Sequence, residues 1–320
     1  MSKLYITIDT EYSAGLALRD PAGRAENFAR SIACETPQGA VGLAYQMDWF
    51  DRHGIKAVFF VDPAPALIWG QVAIDDVVGP VIARGHDVQL HFHSEWLELA
   101  GSANPLRGKT GRNIKDFAFE DQCTLLDWGS EVLIKAGAPR PVAFRAGNYG
   151  ANDDTLRALA TLGMTHDSSH APGIAGSECA ISLGPDDRAV RWHHGVIEAP
   201  TGCIAARGAG LRHAQLTALS AAELLAALAQ AQRSGQRTFT LVSHSFELLS
   251  RDRKTINRVV QRRFERICQG LAGLDGVQSA TYAADPPQPE AEAPLLPHSP
   301  WRTTVRQAKQ AFANALYGRG

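Results

Sequence analysis

Residues that can bind a metal or transfer a proton follow several β-rich stretches of this sequence. The stretches end in Asp9-Thr10-Glu11, Asp62, His91-Phe92-His93, Arg145, Asp167 and His244. In a barrel of parallel strands the carboxyl ends of the strands meet on one face, and active sites are built there. We therefore expect these side chains to share one site.

The types of these side chains indicate a divalent metal. Imidazole and carboxylate suit zinc and its first-row neighbours, and three protein ligands leave a coordination position open for catalysis. An arginine is not a ligand, but beside an aspartate it keeps that carboxylate ionised and oriented. The set predicts a hydrolase that acts through metal-activated water.

A mainly parallel sheet is needed to position these residues. Short β-rich runs alternate with longer helical patterns, which is typical of βα units. The runs cover residues 4–8, 56–61, 87–91, 142–145, 164–167, 195–198, 238–243 and 277–282. The expected fold class is α/β, a distorted (β/α) barrel of seven or eight strands.

Three helices have clear sequence signals. Ser220 and Glu223 form a capping box that opens one helix, and Gly235 ends it. Residues 255–271 place apolar side chains on one helical stripe. Residues 40–53 read as a helix that ends at Gly54, just before the second strand.

Composition excludes several classes of protein. The chain has 320 residues, 45% of them hydrophobic and 20% charged, which is ordinary for a globular protein. Its net charge of -1 argues against a nucleic-acid partner. No stretch is long and apolar enough to span a membrane, and the first apolar run is too short for a signal peptide. With five scattered cysteines that read as reduced thiols, we expect a cytoplasmic protein.

The last part of the chain differs in composition. We expect a barrel over residues 1–284, a stiff proline-rich linker over 285–301 and a basic amphipathic helix over 302–320. Val305, Ala308, Phe312 and Leu316 lie on one side of that helix. Docking of this side on the body or a partner is the preferred interpretation, and peripheral contact with a membrane surface is the alternative.

Five short motifs, in order over residues 4–282, resemble those of the NodB-homology polysaccharide deacetylases of carbohydrate esterase family four. The matching stretches are Leu4-Tyr-Ile-Thr-Ile-Asp-Thr-Glu11, Gly85-His-Asp-Val-Gln-Leu-His91, Phe144-Arg-Ala-Gly-Asn-Tyr-Gly150, Asp167-Ser-Ser169 and Leu241-Val-Ser-His244. The strand at 54–61 is also similar to the one that follows the first helix in these enzymes.

The resemblance implies roles for individual residues. Asp9 would be the general base, held by Arg145, and His244 the general acid. Glu11 and His91 would bind the metal, and Leu241 would line the acyl-group pocket. The backbone N–H near Tyr149 would stabilise the oxyanion, and Asp167 would belong to the substrate-binding set. For Trp96 a sugar platform and a buried core position are both open.

One position departs from the family pattern. The family places its second metal histidine four residues after the first, where this chain has Glu95. Either Glu95 is itself a ligand or His93 takes over, and we favour His93. We expect His93 to reach the metal only if the chain leaves strand geometry after His91.

The predicted activity is removal of an acetyl or formyl group from the nitrogen of an amino sugar. Zinc is the preferred metal, with cobalt, nickel, manganese and iron as alternatives. A cytoplasmic location favours a nucleotide-linked or lipid-carrier-linked sugar used in surface-polysaccharide assembly, and Arg251 and Arg253 are candidates to meet its phosphate. A carbohydrate-binding protein without hydrolytic activity and a hydrolase of non-sugar amides are the alternatives. The adjacent pair His193-His194 reads as a loop or surface feature.

Overall fold

The computed structural model describes residues 1–208 and 210–317. Its strands are β1 (Ser2–Thr10), β2 (Glu35–Thr36), β3 (Gly39–Ala40), β4 (Val58–Val61), β5 (Asp87–Phe92), β6 (Ala143–Ala146), β7 (His166–Asp167), β8 (Arg191–His193), β9 (Val196–Glu198), β10 (Cys203–Ala205), β11 (Leu211–His213), β12 (Thr238–His244) and β13 (Val277–Ser279). Its helices are α1 (Ala14–Arg19), α2 (Arg24–Ser31), α3 (Leu43–Arg52), α4 (Ala66–Trp69), α5 (Val72–Ala83), α6 (Phe119–Lys135), α7 (Asp153–Thr161), α8 (Ala221–Arg233), α9 (Arg258–Ala272) and α10 (Pro300–Tyr317). Short 3-10 helices lie at Ser94–Glu98, Gly101–Ala103, Ile114–Asp116 and Gly147–Tyr149.

A curled sheet forms the centre of the fold. Its strand order is β12-β1-β4-β5-β6-β7-β9-β8, and β13 pairs with the first residues of β1. Neighbouring strands are parallel except β8 and β9, which form an antiparallel hairpin at one edge. All eight strands predicted from the sequence are present, and the predicted distorted (β/α) barrel is confirmed.

Irregular chain bridges the two edges of this sheet. The Gly202 N–H donates to the Thr240 carbonyl at 2.9 Å, and the Leu216 N–H donates to the Val242 carbonyl at 3.0 Å. The chain between β9 and α8 thus runs beside β12, and it carries the β10–β11 hairpin. The barrel is distorted because a few loop hydrogen bonds replace a full strand ladder here.

The two faces of the sheet carry different apolar clusters. The cluster between the sheet and the helices includes Leu4, Ile6 and Ile8 of β1 together with Phe50 of α3 and Phe264 of α9. The cluster inside the curl includes Tyr5, Val58, Phe60, Ala143, Ile197 and Tyr282. Because alternate residues of a strand share a face, Asp9 lies on the inner face with Tyr5.

The predicted helix signals are confirmed as α3, α8 and α9. The Glu223 N–H donates to Ser220 Oγ at 3.2 Å, and the Ser220 N–H donates to Glu223 Oε2 at 2.9 Å, so the capping box opens α8. The third helix begins at Arg258 and not at residue 255, because the Asn257 side chain accepts a hydrogen bond from the Val260 N–H and caps it.

The proline-rich segment is packed along the body and is not a free linker. The Glu290 N–H donates to the Val190 carbonyl at 2.9 Å, and the Ala205 N–H donates to the Leu296 carbonyl at 2.8 Å. Leu296 is buried beside β10. Backbone hydrogen bonds to two separate parts of the barrel fix this segment.

The final helix docks through a face that we did not predict. Arg306 Nε lies 3.2 Å from Glu223 Oε2 of α8, and both side chains are buried. Phe312 and Leu316, expected on the docking side, are 60% and 55% exposed. That expectation is wrong because the buried ion pair sets the rotation of the helix. Residues 318–320 of the predicted segment lie outside the described residues. None of the described helices is both long and apolar enough to cross a membrane.

Candidate active site

Three side chains converge at the carboxyl ends of β1 and β5. Glu11 Oε2 lies 2.6 Å from His93 Nε2 and 3.4 Å from His91 Nε2. One potential ligand atom from each residue lies within 4.8 Å of the other two. The Glu11 oxygen is buried, yet no hydrogen bond of good geometry reaches it. Two imidazoles and a carboxylate that converge in this way are a ligand set that suits a metal ion.

The hydrogen bonds on the far side of each imidazole orient it toward this point. His91 Nδ1 lies 2.7 Å from the Arg145 carbonyl oxygen, and His93 Nδ1 lies 2.8 Å from Glu95 Oε2. A carbonyl and a carboxylate only accept hydrogen bonds, so in each ring Nδ1 is the donor and Nε2 faces the cluster. Metal-binding histidines have such partners in most sites.

His93 reaches the cluster without any departure from strand geometry. Residues two apart in a strand point to the same face, and the rings of His91 and His93 lie 4.9 Å apart between centroids. Our expectation that the chain must first leave the strand is therefore wrong. Glu95 lies behind His93, as its hydrogen-bond partner, and its second oxygen lies 3.3 Å from Asn148 Nδ2.

Charges determine the protonation of this cluster. Burial raises the pKa of Glu11, but His93 and His91 more than offset it and hold that pKa well below its usual range. Burial lowers the pKa of His93, but Glu11 and Glu95 together hold it well above the ordinary value. A carboxylate therefore stays ionised at the centre of the cluster.

A buried ion pair stands beside the cluster. Arg145 Nη1 donates to Asp9 Oδ1 at 2.7 Å and to Thr7 Oγ1 at 2.8 Å. The guanidinium carbon lies 4.4 Å from the centre of the Phe60 ring, and Ser168 accepts two further hydrogen bonds. Burial raises the pKa of Asp9, but Arg145, His91 and His244 together outweigh this and lower it. The carboxylate of Asp9 is thus ionised and fixed in orientation.

His244, at the end of β12, lies on the other side of Asp9. Its Nε2 is 3.9 Å from Asp9 Oδ2, and its Nδ1 is 2.9 Å from Glu247 Oε1. Gln215 and Ser243 donate to the same Glu247 carboxylate. Burial lowers the pKa of His244, but Glu247, Asp9 and Glu11 raise it to about 9. The imidazole is therefore protonated at neutral pH.

Tyr149 follows β6 and reaches the same region. Both Asn148 and Tyr149 have left-handed backbone conformations, with φ of 55° and 57°. The Tyr149 hydroxyl lies 3.2 Å from His213 Nε2 of β11. Burial and the Arg145 charge lower the pKa of His213 to about 3, so this imidazole is neutral. The Tyr149 hydroxyl therefore meets a neutral imidazole, and the role of Tyr149 toward a substrate stays a prediction.

Leu241 does not face the site. It belongs to the cluster between the sheet and the helices, with Ile6 and Phe264. Because alternate residues share a face, Leu241 and His244 lie on opposite faces of β12. The predicted role of Leu241 in an acyl-group pocket is wrong for this reason.

Asp167 is also closed off from a substrate. Its oxygens accept hydrogen bonds from the Ser169 N–H at 2.7 Å and the Ser169 hydroxyl at 2.9 Å, and it is fully buried. Glu198 of β9 is the neighbouring buried carboxyl, and burial together with Asp167 holds its pKa well above the usual value. Asp167 thus shares a buried carboxyl pair and offers no surface to a substrate.

Trp96 is a core residue. It is 0% exposed, and its ring packs edge-on against Trp69 with 5.4 Å between centroids. A fully buried indole has no free face for a sugar ring. Of the two alternatives for Trp96, the structure places it in the core.

Two residues near the site, Glu247 and His213, were not predicted there, and a third, Asp62, was expected at the site without an assigned role. Among the described residues Asp62 Oδ2 is buried and has no hydrogen-bond partner, and burial raises the Asp62 pKa to about 6. Asp62 did carry a signal, since it follows a strand. Glu247 and His213 come from a loop and a short hairpin, where no pattern in the sequence points to the site.

Comparisons with known proteins show which solved structures share this fold. No protein-family model matches the chain, and no curated protein matches it in sequence. A candidate polysaccharide deacetylase from Mycobacterium smegmatis matches in structure with a TM-score of 0.56 at 17% identity, over 88% of this chain and 87% of that one. A 4-alpha-glucanotransferase from Thermococcus litoralis matches with a TM-score of 0.54 at 11% identity, over 99% of this chain and 47% of that one. A family 4 carbohydrate esterase from Streptomyces lividans, solved with acetate, has a TM-score of 0.46 at 12% identity, over 91% and 98% of the two chains.

The chain therefore has the fold of the polysaccharide deacetylases, as its motifs indicated. At these identities the similarity establishes the fold and not the reaction. Because the fold is also shared with a glucanotransferase, the reaction has to be inferred from the side chains of the site.

Proposed function

We propose that this protein is a metal-dependent hydrolase that removes an acetyl or formyl group from the nitrogen of an amino sugar. The observation that carries the proposal is the convergence of Glu11 Oε2, His91 Nε2 and His93 Nε2 beside the buried Asp9–Arg145 pair. A ligand set next to a fixed base is what metal-assisted hydrolysis of an amide requires.

Glu11, His91 and His93 would hold the ion, with Glu95 orienting His93. Two imidazoles and a carboxylate suit zinc, and they also accept cobalt, nickel, manganese or iron. When bound, the ion supplies Lewis-acid polarisation of the acyl carbonyl.

Asp9 acts as the general base. Arg145 Nη1 donates to its Oδ1, and Oδ2 accepts the proton of the attacking water. Fixed orientation contributes directly to the rate, because a correctly placed base needs no reorganisation during the attack.

His244 acts as the general acid. Glu247 holds Nδ1, which leaves the Nε2–H facing the Asp9 side of the site, where the departing nitrogen would lie. Donation of this proton to the nitrogen allows it to leave as a neutral amine.

An arginine near His244 supports the proposal that the substrate is an anionic sugar, linked to a nucleotide or a lipid carrier. The Arg253 guanidinium carbon lies 3.9 Å from the centre of the Phe246 ring, and that ring lies 5.3 Å from the His244 ring. Arg253 also donates to Ser31 Oγ at 2.8 Å, so the cation has a fixed place. Such a substrate belongs to surface-polysaccharide biosynthesis in the cytoplasm, and five free cysteines fit a reducing compartment.

The test measures free-amine release from acylated amino sugars by the metal-loaded protein. We expect turnover of nucleotide-linked sugars, no turnover after Asp9→Asn, and a raised KM for the nucleotide-linked sugar after Arg253→Gln. The Arg262→Gln variant, at an exposed arginine of α9, is the matched control. Cleavage of chitin-like chains without cleavage of activated monosaccharides would contradict the substrate class.

The same assay distinguishes a carbohydrate-binding protein on this fold. The binding protein would be the correct interpretation if two results were found together. The wild type and Asp9→Asn would bind sugar equally, and neither would release amine with any first-row metal.

A further inference from the structure

A second group of potential ligands lies outside the candidate active site. Asp153 is the first residue of α7, and His193 and His194 lie at the turn between β8 and β9. One potential ligand atom from each of the three lies within 4.8 Å of the other two. None of these residues belongs to the cluster of Glu11, His91 and His93.

The backbone at the turn brings the two imidazoles together. Adjacent residues of a regular strand point to opposite faces. His194 instead has a left-handed backbone with φ of 45°, and Gly195 follows with φ of 89°. The two rings consequently lie 4.3 Å apart between centroids. His193-His194 therefore lies at a loop, as the sequence indicated, and the turn also brings its two rings together.

The Asp153 carboxylate faces both rings. Its Oδ2 lies 3.1 Å from His194 Nε2, and its Oδ1 lies 3.7 Å from His193 Nε2. Zinc bonds of about 2.0–2.1 Å place neighbouring tetrahedral ligands about 3.4 Å apart. The two observed separations, each to a different oxygen of the Asp153 carboxylate, are within about 0.3 Å of that value.

The surroundings orient the ligands and leave room for solvent. The Ser182 N–H donates to Asp153 Oδ1 at 2.8 Å and holds the carboxylate in place, while the Ser182 hydroxyl, 3.1 Å from His193 Nε2, would give up this contact to a bound ion. The side chains of Asp153, His193 and His194 are 26%, 19% and 28% exposed. Water can therefore complete the coordination of an ion held by three protein ligands.

We propose that Asp153, His193 and His194 form a second site for zinc or a neighbouring first-row ion. The ion would join the β8–β9 hairpin to the start of α7. Because β8 is an edge strand of the central sheet, this link would stabilise the end of the sheet. The role is structural, and the proposal is independent of the hydrolase activity.

The protonation of the ligands agrees with this assignment. Burial raises the pKa of Asp153, but the hydrogen bonds from Ser182 and the two histidines outweigh it and lower that pKa. Burial and the neighbouring His194 lower the pKa of His193. At neutral pH the carboxylate is therefore ionised and the His193 imidazole is neutral.

The experiment counts bound metal on the full chain without a histidine tag. Protein is dialysed against Zn²⁺ with a non-chelating reductant, and metal is measured by elemental mass spectrometry. We expect two equivalents in the wild type, one in Glu11→Gln, one in His194→Asn, and none in the double variant. Asparagine tolerates the left-handed backbone at residue 194, so the turn is kept. His298→Asn, at a half-buried histidine outside both clusters, is the matched control and should keep two equivalents.

Thermal unfolding gives a second readout. Zn²⁺ should raise the Tm of the Glu11→Gln protein and leave the Tm of the double variant unchanged, because only ligands bound to the folded state stabilise it. His91→Asn serves as a second background if Glu11→Gln does not fold. Absence of metal from both backgrounds, or an equal metal content with and without His194, would overturn the proposal.

Discussion

The guanidinium of Arg145 and the carboxylate of Asp9 form an ion pair in which neither side chain is accessible to solvent. Arg145 Nη1 lies 2.7 Å from Asp9 Oδ1, and the two side chains are 0% and 4% exposed. Breaking such a pair leaves one uncompensated buried charge, which costs more than the pair itself contributes. The proposed base and its orienting partner are therefore also a determinant of stability.

Replacement of Arg145 tests this point. We expect Arg145→Met to lower the free energy of unfolding by about 3–5 kcal/mol, because Asp9 remains buried without its partner. Urea denaturation measures the loss. Arg140→Met is the control, since Arg140 pairs with Glu131 in an exposed bridge worth about 0–1 kcal/mol. Equal losses of unfolding free energy in the two variants would show that the buried Arg145–Asp9 pair contributes no more to stability than the exposed pair.

The pH dependence of activity should report His244. Its pKa is raised to about 9, chiefly by Glu247, with Asp9 and Glu11 contributing against burial. Activity that needs the protonated imidazole falls as the pH rises through about 9. Glu247→Gln should move this alkaline limb of kcat/KM to lower pH by about 1–3 units, because the nearest anionic partner is lost. If the alkaline limb lies at the same pH in the wild type and in Glu247→Gln, the limb reports a group other than His244.

The same residue links stability to pH. The folded pKa of His244 lies above the ordinary 6.5, so its interaction with Glu247 stabilises the fold fully below about pH 6.5 and is lost as the pH rises through about 9. The difference in unfolding free energy between wild type and Glu247→Gln should therefore shrink between pH 6.5 and pH 10, as chemical denaturation at several pH values would show.

Trp96 should affect stability and not sugar binding. Trp96→Ala removes a fully buried indole, and we expect a loss of about 3–5 kcal/mol in unfolding free energy. Trp96→Phe should keep the KM of the wild type. Trp192→Ala, at a tryptophan that is 64% exposed, should change stability by about 0.5 kcal/mol or less. A KM raised tenfold or more in Trp96→Phe would instead support the hypothesis that Trp96 contacts the sugar.

The attachment of α10 should depend on its polar face. Arg306→Met leaves Glu223 buried and unpaired, so we expect a loss of about 3 kcal/mol or more in unfolding free energy. Phe312→Ser, on the exposed side of the helix, should change it by about 0.5 kcal/mol or less. Urea denaturation of both variants compares the faces, and the reverse order would mean that the apolar side is the one that docks.

Much of the fold follows from local patterns in the sequence. The eight predicted strands and the capping box of Ser220 and Glu223 depend on neighbouring residues alone, so a single sequence reveals them. The positions of Asp9, Glu11, His91, Arg145 and His244 at strand ends are equally local. A parallel sheet then brings strand ends together, whatever the details of packing.

Tertiary structure decided which face each side chain takes and which distant residues join it. Leu241 points to the helices because β12 pairs with β1 in a register that directs His244 inward. Glu247 and His213 reach the site from connecting segments whose course depends on contacts across the whole barrel. Asp153 meets His194 only because the β8–β9 turn folds against α7. The contacts of Tyr149 with His213 and of Asp153 with His194 join residues tens of positions apart, and no local periodicity encodes them.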